Sequence, residues 1–559
     1  MAIVFPQIKV FKIFGGMISR VIPPKLQKQG KMKKGITGVI LFIAITFTSL
    51  SQTIINSGNV SGDWNNSDSP FLINGDITIP AGNKLSIAPG VEIIFQGDYT
   101  FTIIGRLDAR GTANDSIIFT SADTTGFSTG TYNGWKGINF IGYTSTQTEK
   151  SILKYCKIEF SSSNGIFVMD FSNLEIDNCN VVNNLEFGIS VNEFSDIYIN
   201  DVIVSGNSAG GIGINSSNPV ISGFKISNNY GSGISANGSG TITFNNGTIT
   251  NNVSSSNGGG INIGMDANVV LKNVEISGNT AINGGAINCL MGYITVSNSV
   301  ITGNSSVNGA GINANYMASV SLDHVLVARN SADENGGALN IIEADLEIIN
   351  STIADNIALT GTGGLFLNNS SLHSATVTNS IFWNDAAAEM TIENELPEIS
   401  YSDVQGGFFG EGNIDADPLF VNSGEGDYSL QWQNYPAGDF TKSPCIDSGN
   451  PSLNYDPDGT TTDMGAFFFN QTSITAVDRY ENYNEVIAYP NPATDIINIK
   501  GLKNIERVLI TNLTGSIVKD SSVNGNLITM NISDLKPGIY LIVLYNRNGN
   551  VIKKKIVKR

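Results

Sequence analysis

The sequence predicts an all-β protein, a parallel β-helix solenoid followed by a small Ig-like β-sandwich, and three observations predict it. A short phrase recurs at nearly constant spacing through the middle of the 559-residue chain, the composition is that of many short strands and polar turns, and the sign of the charge reverses near the C-terminus. Only 14% of residues are charged and 61 are glycine, a balance that favours strands punctuated by turns over amphipathic helices.

The first 51 residues hold eight Lys or Arg and no Asp or Glu. Within them, Met32-Lys33-Lys34 precedes an uncharged run from Gly35 to Leu50, and Ser49 and Ser51 flank Leu50 just before Gln52. A basic start, a short apolar stretch and small residues at the cleavage positions are the parts of a secretory signal. The run is too short and too rich in Thr and Ser for a membrane span, which needs about 20 apolar residues. Residues 32–51 therefore read as a signal peptide cleaved before Gln52, with residues 1–31 as an upstream extension.

Without those eight cations the formal charge moves from −18 to −26. Residues 480–559 carry 11 basic and 6 acidic side chains, leaving 12 and 43 for residues 52–479. Two regions of opposite sign imply two domains. So acidic a body repels nucleic acid, anionic lipid and polyuronate chains, which leaves neutral glycans, surface proteins or divalent cations as partners.

From Phe71 onward, short alternating strands (Phe71 to Ile79, Leu85 to Ile87, Val91 to Phe95, Phe101 to Ile104, Leu107 to Ala109, Ile117 to Thr120) are separated by turns at Pro80-Ala81-Gly82, Pro89-Gly90 and Arg110-Gly111. They read as the opening coils. From residue 180 the phrase becomes explicit, a β-branched residue followed three positions later by Asn184, Asn207, Asn229, Asn252, Asn279, Asn304, Asn330, Asn356 and Asn384. These lie 22 to 28 residues apart, and Gly-rich stretches such as Gly258-Gly259-Gly260 follow them. Each repeat has room for two or three strands and no helix, so stacked coils about 4.8 Å apart remain, with Asn side chains stacking as an amide ladder. The solenoid is expected over residues 55–395. This stretch resembles the pectate-lyase-like right-handed β-helix superfamily, a resemblance that implies a fold and not an activity.

Farther on, ADPLFVNSGEGDYSLQ, SPCIDSGNPS and DPDGTTTDMGAF resemble the ends of bacterial β-helix proteins called choice-of-anchor Q proteins, which implies that residues 396–470 close the solenoid. A linker, residues 471–484, leads to alternating strands in residues 485–559. There Tyr489-Pro490-Asn491-Pro492, Asp495 with Ile497 and Ile499, Leu513 with Gly515, Pro537-Gly538-Ile539-Tyr540 and the basic end around Lys553, Lys554 and Lys555 resemble, in order, the type A sorting domain of the type IX secretion system. The resemblance implies recognition by that secretion machinery, export across the outer membrane of a Gram-negative bacterium, removal of the domain, and attachment to surface lipopolysaccharide or release.

Enzymes on the β-helix fold that act on acidic polysaccharides use clustered Asp with an Arg or Lys base, or three Asp arranged for hydrolysis. Between residues 160 and 400 the basic side chains are Lys225, Lys272 and Arg329, far apart, and no Asp-Asp or Gly-His-Gly motif occurs. No catalytic residue is assigned. His324 falls where other repeats have Asn and reads as a turn residue, and His373 has no partner at a telling spacing. Cys156 and Cys179 are one repeat apart and face inward; a disulfide and packed thiols both fit. Asp456, Asp458 and Asp463 around Gly459 form the one carboxylate cluster with a turn, with the oxygens a Ca²⁺ ion would use but without EF-hand spacing; a solvated loop fits it as well. Trp64, Trp135, Trp383 and Trp432 read as core aromatics with sugar stacking as the second reading. The functional expectation is a surface protein that is adhesive or glycan-binding, with no cofactor; the rival is a polysaccharide lyase or glycoside hydrolase.

Overall fold

In the computed structural model the described residues are 52–127, 134–142, 150–170, 173–195, 197–472, 486–502, 505–512, 517–523, 525–546 and 551–559. The expected signal peptide, the residues before it and most of the expected linker lie outside them.

The chain winds as a right-handed parallel β-helix. Parallel pairing starts with Thr53–Ile55 against Phe71–Ile73 and runs to Ile381–Trp383 against Asp403–Val404, past the expected boundary at residue 395. One long sheet receives two strands from most coils, such as Leu174–Asp177 and Asn180–Val182, and a second sheet receives one, such as Phe187–Asn192. The bend between the paired strands requires a left-handed residue. Asn178, Asp201, Asn246, Asn273, Asn298, His324, Asn350 and Asn379 fill it with φ between 46° and 55°. Asn and Asp tolerate this conformation because their short side chains bond locally, and His324 occupies the same slot.

The interior is built of rows. Ile158, Val181, Val204, Ile226, Ile249, Ile276, Ile301, Val327, Ile353 and Phe382 stand one above another, all fully buried. Burying such side chains contributes about 1.5–3 kcal/mol each. The opening coils are filled differently. Trp64 stacks on Phe71 at 4.5 Å and Trp135 on Phe95 at 4.3 Å, with Phe119 and Phe101 extending the stack. The Trp135 indole N–H donates to the Glu159 carbonyl at 2.9 Å.

In the loop after Val404, Phe408 packs against the end of the solenoid core and the Val404 N–H donates to the Ile414 carbonyl at 3.0 Å. The following segment, expected to seal that end, instead folds back along the flank. There Tyr428 and Ala466 cover Leu326, Ala328 and Ala354, while Leu430, Cys445, Ile446 and Met464 cover Ile381. The covered strands present Leu326, Ala328, Ala354 and Ile381 at outward positions where the coils from Lys225 to Ser277 carry Lys225, Ser227, Thr248, Thr250, Glu275 and Ser277. Polar ties fix the cover: Tyr428 O–H donates to Asp355 at 2.7 Å, the Ala466 N–H to Thr352 at 3.0 Å and the Asn450 N–H to Asn379 at 2.7 Å.

The described residues from 486 onward form three- and four-strand antiparallel sheets around Ile497, Ile499, Val508, Ile510, Met530, Ile542, Leu544 and Ile556.

Candidate functional site

The amide ladder is continuous. From Asn184 to Asn356 each rung donates both its backbone N–H and its Nδ2 to the Oδ1 of the next, at 2.9–3.1 Å. The second Nδ2 hydrogen reaches a carbonyl of the core row, as from Asn279 to Ile249 at 2.9 Å. These buried amides leave no donor for a ligand and hold coil to coil. The last rung departs from expectation. Asn384 is exposed, left-handed at φ 62°, and bonds Asp355 from the bend beside the ladder, while Asp385 takes the rung, its Oδ1 accepting both donors of Asn356. The register slips because the residue paired with Ile353 is Phe382, not the β-branched Ile381.

A second ladder escaped the sequence reading. Asn288, Asn313 and Asn340 donate in turn to Asn262, Asn288 and Asn313 at 2.7–2.9 Å, although they point outward from their strands. The Gly-rich stretches curl over them: a Cβ on Gly258 would lie 2.6 Å from that of Asn262, and one on Gly309 at 2.6 Å from that of Asn313. The recurrent apolar-Asn pair after each glycine run was the available signal.

Asp456, Asp458 and Asp463 hold their own loop. Asp463 accepts the N–H groups of Asp447 and Phe469, Asp456 that of Asp463, and Asp458 those of Thr460 and Gln471. Burial raises Asp463 to about 7 and lifts Asp456 above its usual range, whereas bonds from Thr460 and Gln471 outweigh burial and lower Asp458. Among the described residues no three His, Cys, Asp or Glu side chains converge as a metal-holding group.

Cys156 and Cys179 sit in adjacent coils, the Cys156 N–H donating to the Cys179 sulfur at 3.4 Å. Trp64 and Trp135 are core residues, and Trp383 of the solenoid and Trp432 of the folded-back segment both pack, half-buried, against the Ile381 and Leu430 cluster. His324 lies 2.7 Å from Asp323, and His373 lies between Glu343 and Asp345 at 3.7 and 3.5 Å. Lys84, Lys136, Lys150, Lys154 and Lys157 are each paired with a carboxylate, and Arg329 bonds Tyr428 and Ser423.

What the solenoid offers to solvent is an edge. The loops joining the single-strand sheet to the two-strand sheet expose Phe194, Met265, Tyr316, Met317 and Leu372, with Tyr198 and Tyr293 at the first positions of the next strands. Met265, Tyr293 and the Tyr316–Met317 pair fall in three successive coils. Phe194, Met291, Tyr316 and Met317 are left-handed at φ 53–63°, a conformation costing about 1–2 kcal/mol for a bulky residue; Gly238 occupies the same corner without that cost. Polar groups lie along the same corner: Asn192, Asn215 and Asn237 are in register from the Phe194 coil to the coil before Met265, and the buried Oδ1 of Asn315, next to Tyr316, has no hydrogen-bond partner.

The sorting residues come together in the C-terminal sandwich. Asn491 donates to the Lys555 carbonyl at 3.1 Å and accepts the Val557 N–H at 2.8 Å, stitching the Tyr489–Pro492 turn to the last strand. In that strand Lys553, Lys554, Lys555 and Lys558 pair with Val543, Ile542, Leu541 and Gly538, just after Pro537. The Lys500 ammonium lies over the Tyr489 ring and Tyr540 donates to the Lys536 carbonyl.

The family model described as Right handed beta helix region matches residues 93–249 and 136–290, and that described as Secretion system C-terminal sorting domain matches residues 487–559. The second match marks the chain as cargo of the type IX secretion machinery, and hence as secreted or displayed at the cell surface. No curated protein matches. Similar solved structures include a periplasmic alginate epimerase (10% identity, 62% of this chain and 85% of that one, TM-score 0.30). They also include the A-module of an Azotobacter vinelandii mannuronan C-5 epimerase (13%, 64% and 91%, TM-score 0.25) and the receptor-binding tailspike of bacteriophage Det7 (10%, 91% and 94%, TM-score 0.22).

Proposed function

We propose that the β-helix is a glycan-binding, adhesive passenger without catalytic machinery, delivered to the cell surface by type IX secretion after removal of an N-terminal signal peptide. The observation that carries this reading is the edge of exposed aromatic and methionine side chains, continued along the same corner by the Asn192, Asn215 and Asn237 row. Aromatic faces stack on sugar rings while amides bond hydroxyl groups, and the net acidic charge of the body favours neutral glycans over uronates. Lysines 84 to 157 engaged in ion pairs are poorly placed to act as free bases. Anchorage to lipopolysaccharide after sorting belongs to the same proposal.

The test is a glycan array on the exported protein, with Tyr293→Ala/Tyr316→Ala as control and a reducing-sugar assay in parallel. Binding of neutral glycans that the double variant loses at least tenfold supports the reading. Product release by the wild-type protein would make it a lyase or hydrolase instead, and silence in both assays would overturn glycan recognition.

A further inference from the structure

The last rung of the amide ladder is chemically unlike the others. An Asn has two amide hydrogens to donate; Asp385, in its place, has none when ionised. Its Oδ1 is filled by the backbone N–H and Nδ2 of Asn356, at 2.6 and 2.9 Å, but Oδ2 is buried with no partner. Glu389, one short turn later, repeats the pattern, with Oε1 accepting the Asp385 N–H at 2.9 Å and Oε2 buried without a partner. The two carboxyl groups are within hydrogen-bonding reach of each other, and each has one satisfied and one unsatisfied oxygen. A buried unpaired acceptor costs about 1–3 kcal/mol, and more when charged, so two ionised carboxylates here would be strongly unfavourable. A single proton removes both deficits, since a carboxylic acid donates to a carboxylate.

We propose that Asp385 and Glu389 share one proton and that this proton is the final rung of the ladder, so the terminal coil loosens when the proton leaves. A bound cation is the competing way to satisfy two oxygens. The packing argues against it: a Cβ at Gly364 would come within 2.8 Å of Asp385 Oδ2 and 2.1 Å of the Glu389 carbonyl, a close-packed surround for an ion and its remaining ligands. Burial holds both carboxyls above the ordinary carboxylate range, and their mutual repulsion pushes Asp385 further. From the coil before, Asp355 adds a like charge to Glu389, its own oxygens engaged by Asn384 and by Tyr428, which Arg329 also bonds. The adjoining strand Leu365–Asn369 holds no ionisable residue, and from the coil after, Gln405 meets Asn384. Asp403 in that coil is bonded to Ala416 and Cys445.

A carboxyl whose folded value is raised stabilises the fold fully below its unfolded value and ceases to do so as pH rises through the folded value. The rung therefore holds in acid and weakens in alkali. Asp385→Asn restores the amide that the other rungs carry, with Oδ1 for Asn356 and Nδ2 for Glu389, and Glu389→Gln supplies a permanent donor from the other side. The experiment melts the full chain from pH 5 to 9 for the wild type and both variants, with and without 1 mM CaCl₂. Subtracting the variant profile removes the contributions of Asp403 and Asp463. The expected result is a melting temperature that falls with rising pH more steeply in the wild type than in either variant, with the difference confined to amides of residues 352–404 by hydrogen exchange. Parallel profiles overturn the shared proton. A Ca²⁺-dependent rise in the wild type, absent in Asp385→Asn, overturns it in favour of a cation.

Discussion

The coils before and after residue 178 keep the same parallel register by different chemistry. The early coils rely on interior aromatic stacking, Trp64 on Phe71 and Trp135 on Phe95, and on ion pairs outside, Lys84 with Asp108 and Lys154 with Asp177. The later coils rely on small β-branched rows and buried amides that bond across every coil interface. Aromatic burial is non-directional and tolerates coils of unequal shape, whereas an amide ladder fixes the height and phase of each coil. The difference teaches that register in the later coils is specified by hydrogen bonds and in the early coils by fit.

The largest effect is expected in the early coils. Trp135→Ala removes a fully buried indole and leaves the Glu159 carbonyl without its donor, a loss of about 3–5 kcal/mol. Hydrogen exchange should place that loss in the coils around residues 93–160, because a solenoid loses stability repeat by repeat. Uniform loss along the chain would break the distinction between the two halves. Asn279→Ala should cost somewhat less, about 2–4 kcal/mol, by stranding the buried N–H and Nδ2 of Asn252. Thermal and urea melts should show it alongside Asn279→Asp, which keeps the acceptor and loses the donors to Ile249 and Asn304. If Asn279→Ala melts as the wild type does, the ladder does not set the register.

The halves also differ in the sign of their pH dependence. Burial raises Asp403 to about 6 and Asp463 to about 7 in and beside the last coil, so the stability they lend is full below about 4 and declines as pH passes 6 and 7. Asp108 and Asp177 are partly buried, yet bonds from Lys84 and Arg110 and from Lys154 hold them below the usual range. Their contribution is present above about 4 and lost on further acidification. Exchange protection should therefore weaken around residues 400–470 between pH 5 and 8, and in coils 84–177 only below pH 4. Equal responses in both regions would remove this contrast.

Much of this was legible because ladder and turn residues are chemically constrained. Asn184 to Asn356 and the Asn slot taken by His324 could be read from spacing alone. The final rung could not, because Phe382 replaced the β-branched marker and moved the count by one residue to Asp385. The flank cover was written in Leu326, Ala328 and Ala354, but parity within a strand does not say which outward positions another segment will reach. The aromatic edge was hidden for a related reason: Met265, Tyr293 and Tyr316 are 28 and 23 residues apart and align only once the differing loop lengths between them are known.

The smallest expected effect tests the comparison from outside. Lys154 bonds Asp177 at 2.6 Å on the surface of the early coils, while Asn200 and Asn178 bond the same carboxylate at 3.0 and 2.8 Å. The Lys154 ammonium reaches solvent although Asp177 is largely buried, so the pair is weakened by water and screened by salt from its open side and contributes about 1 kcal/mol, and here the two amides remain to satisfy Asp177 after the ammonium is gone. Lys154→Met should therefore lower the melting temperature slightly in low salt and not at all in 1 M NaCl. A loss as large as that of Asn279→Ala, persisting in salt, would mean that the early coils too are held in register by directional polar contacts, with aromatic fit secondary.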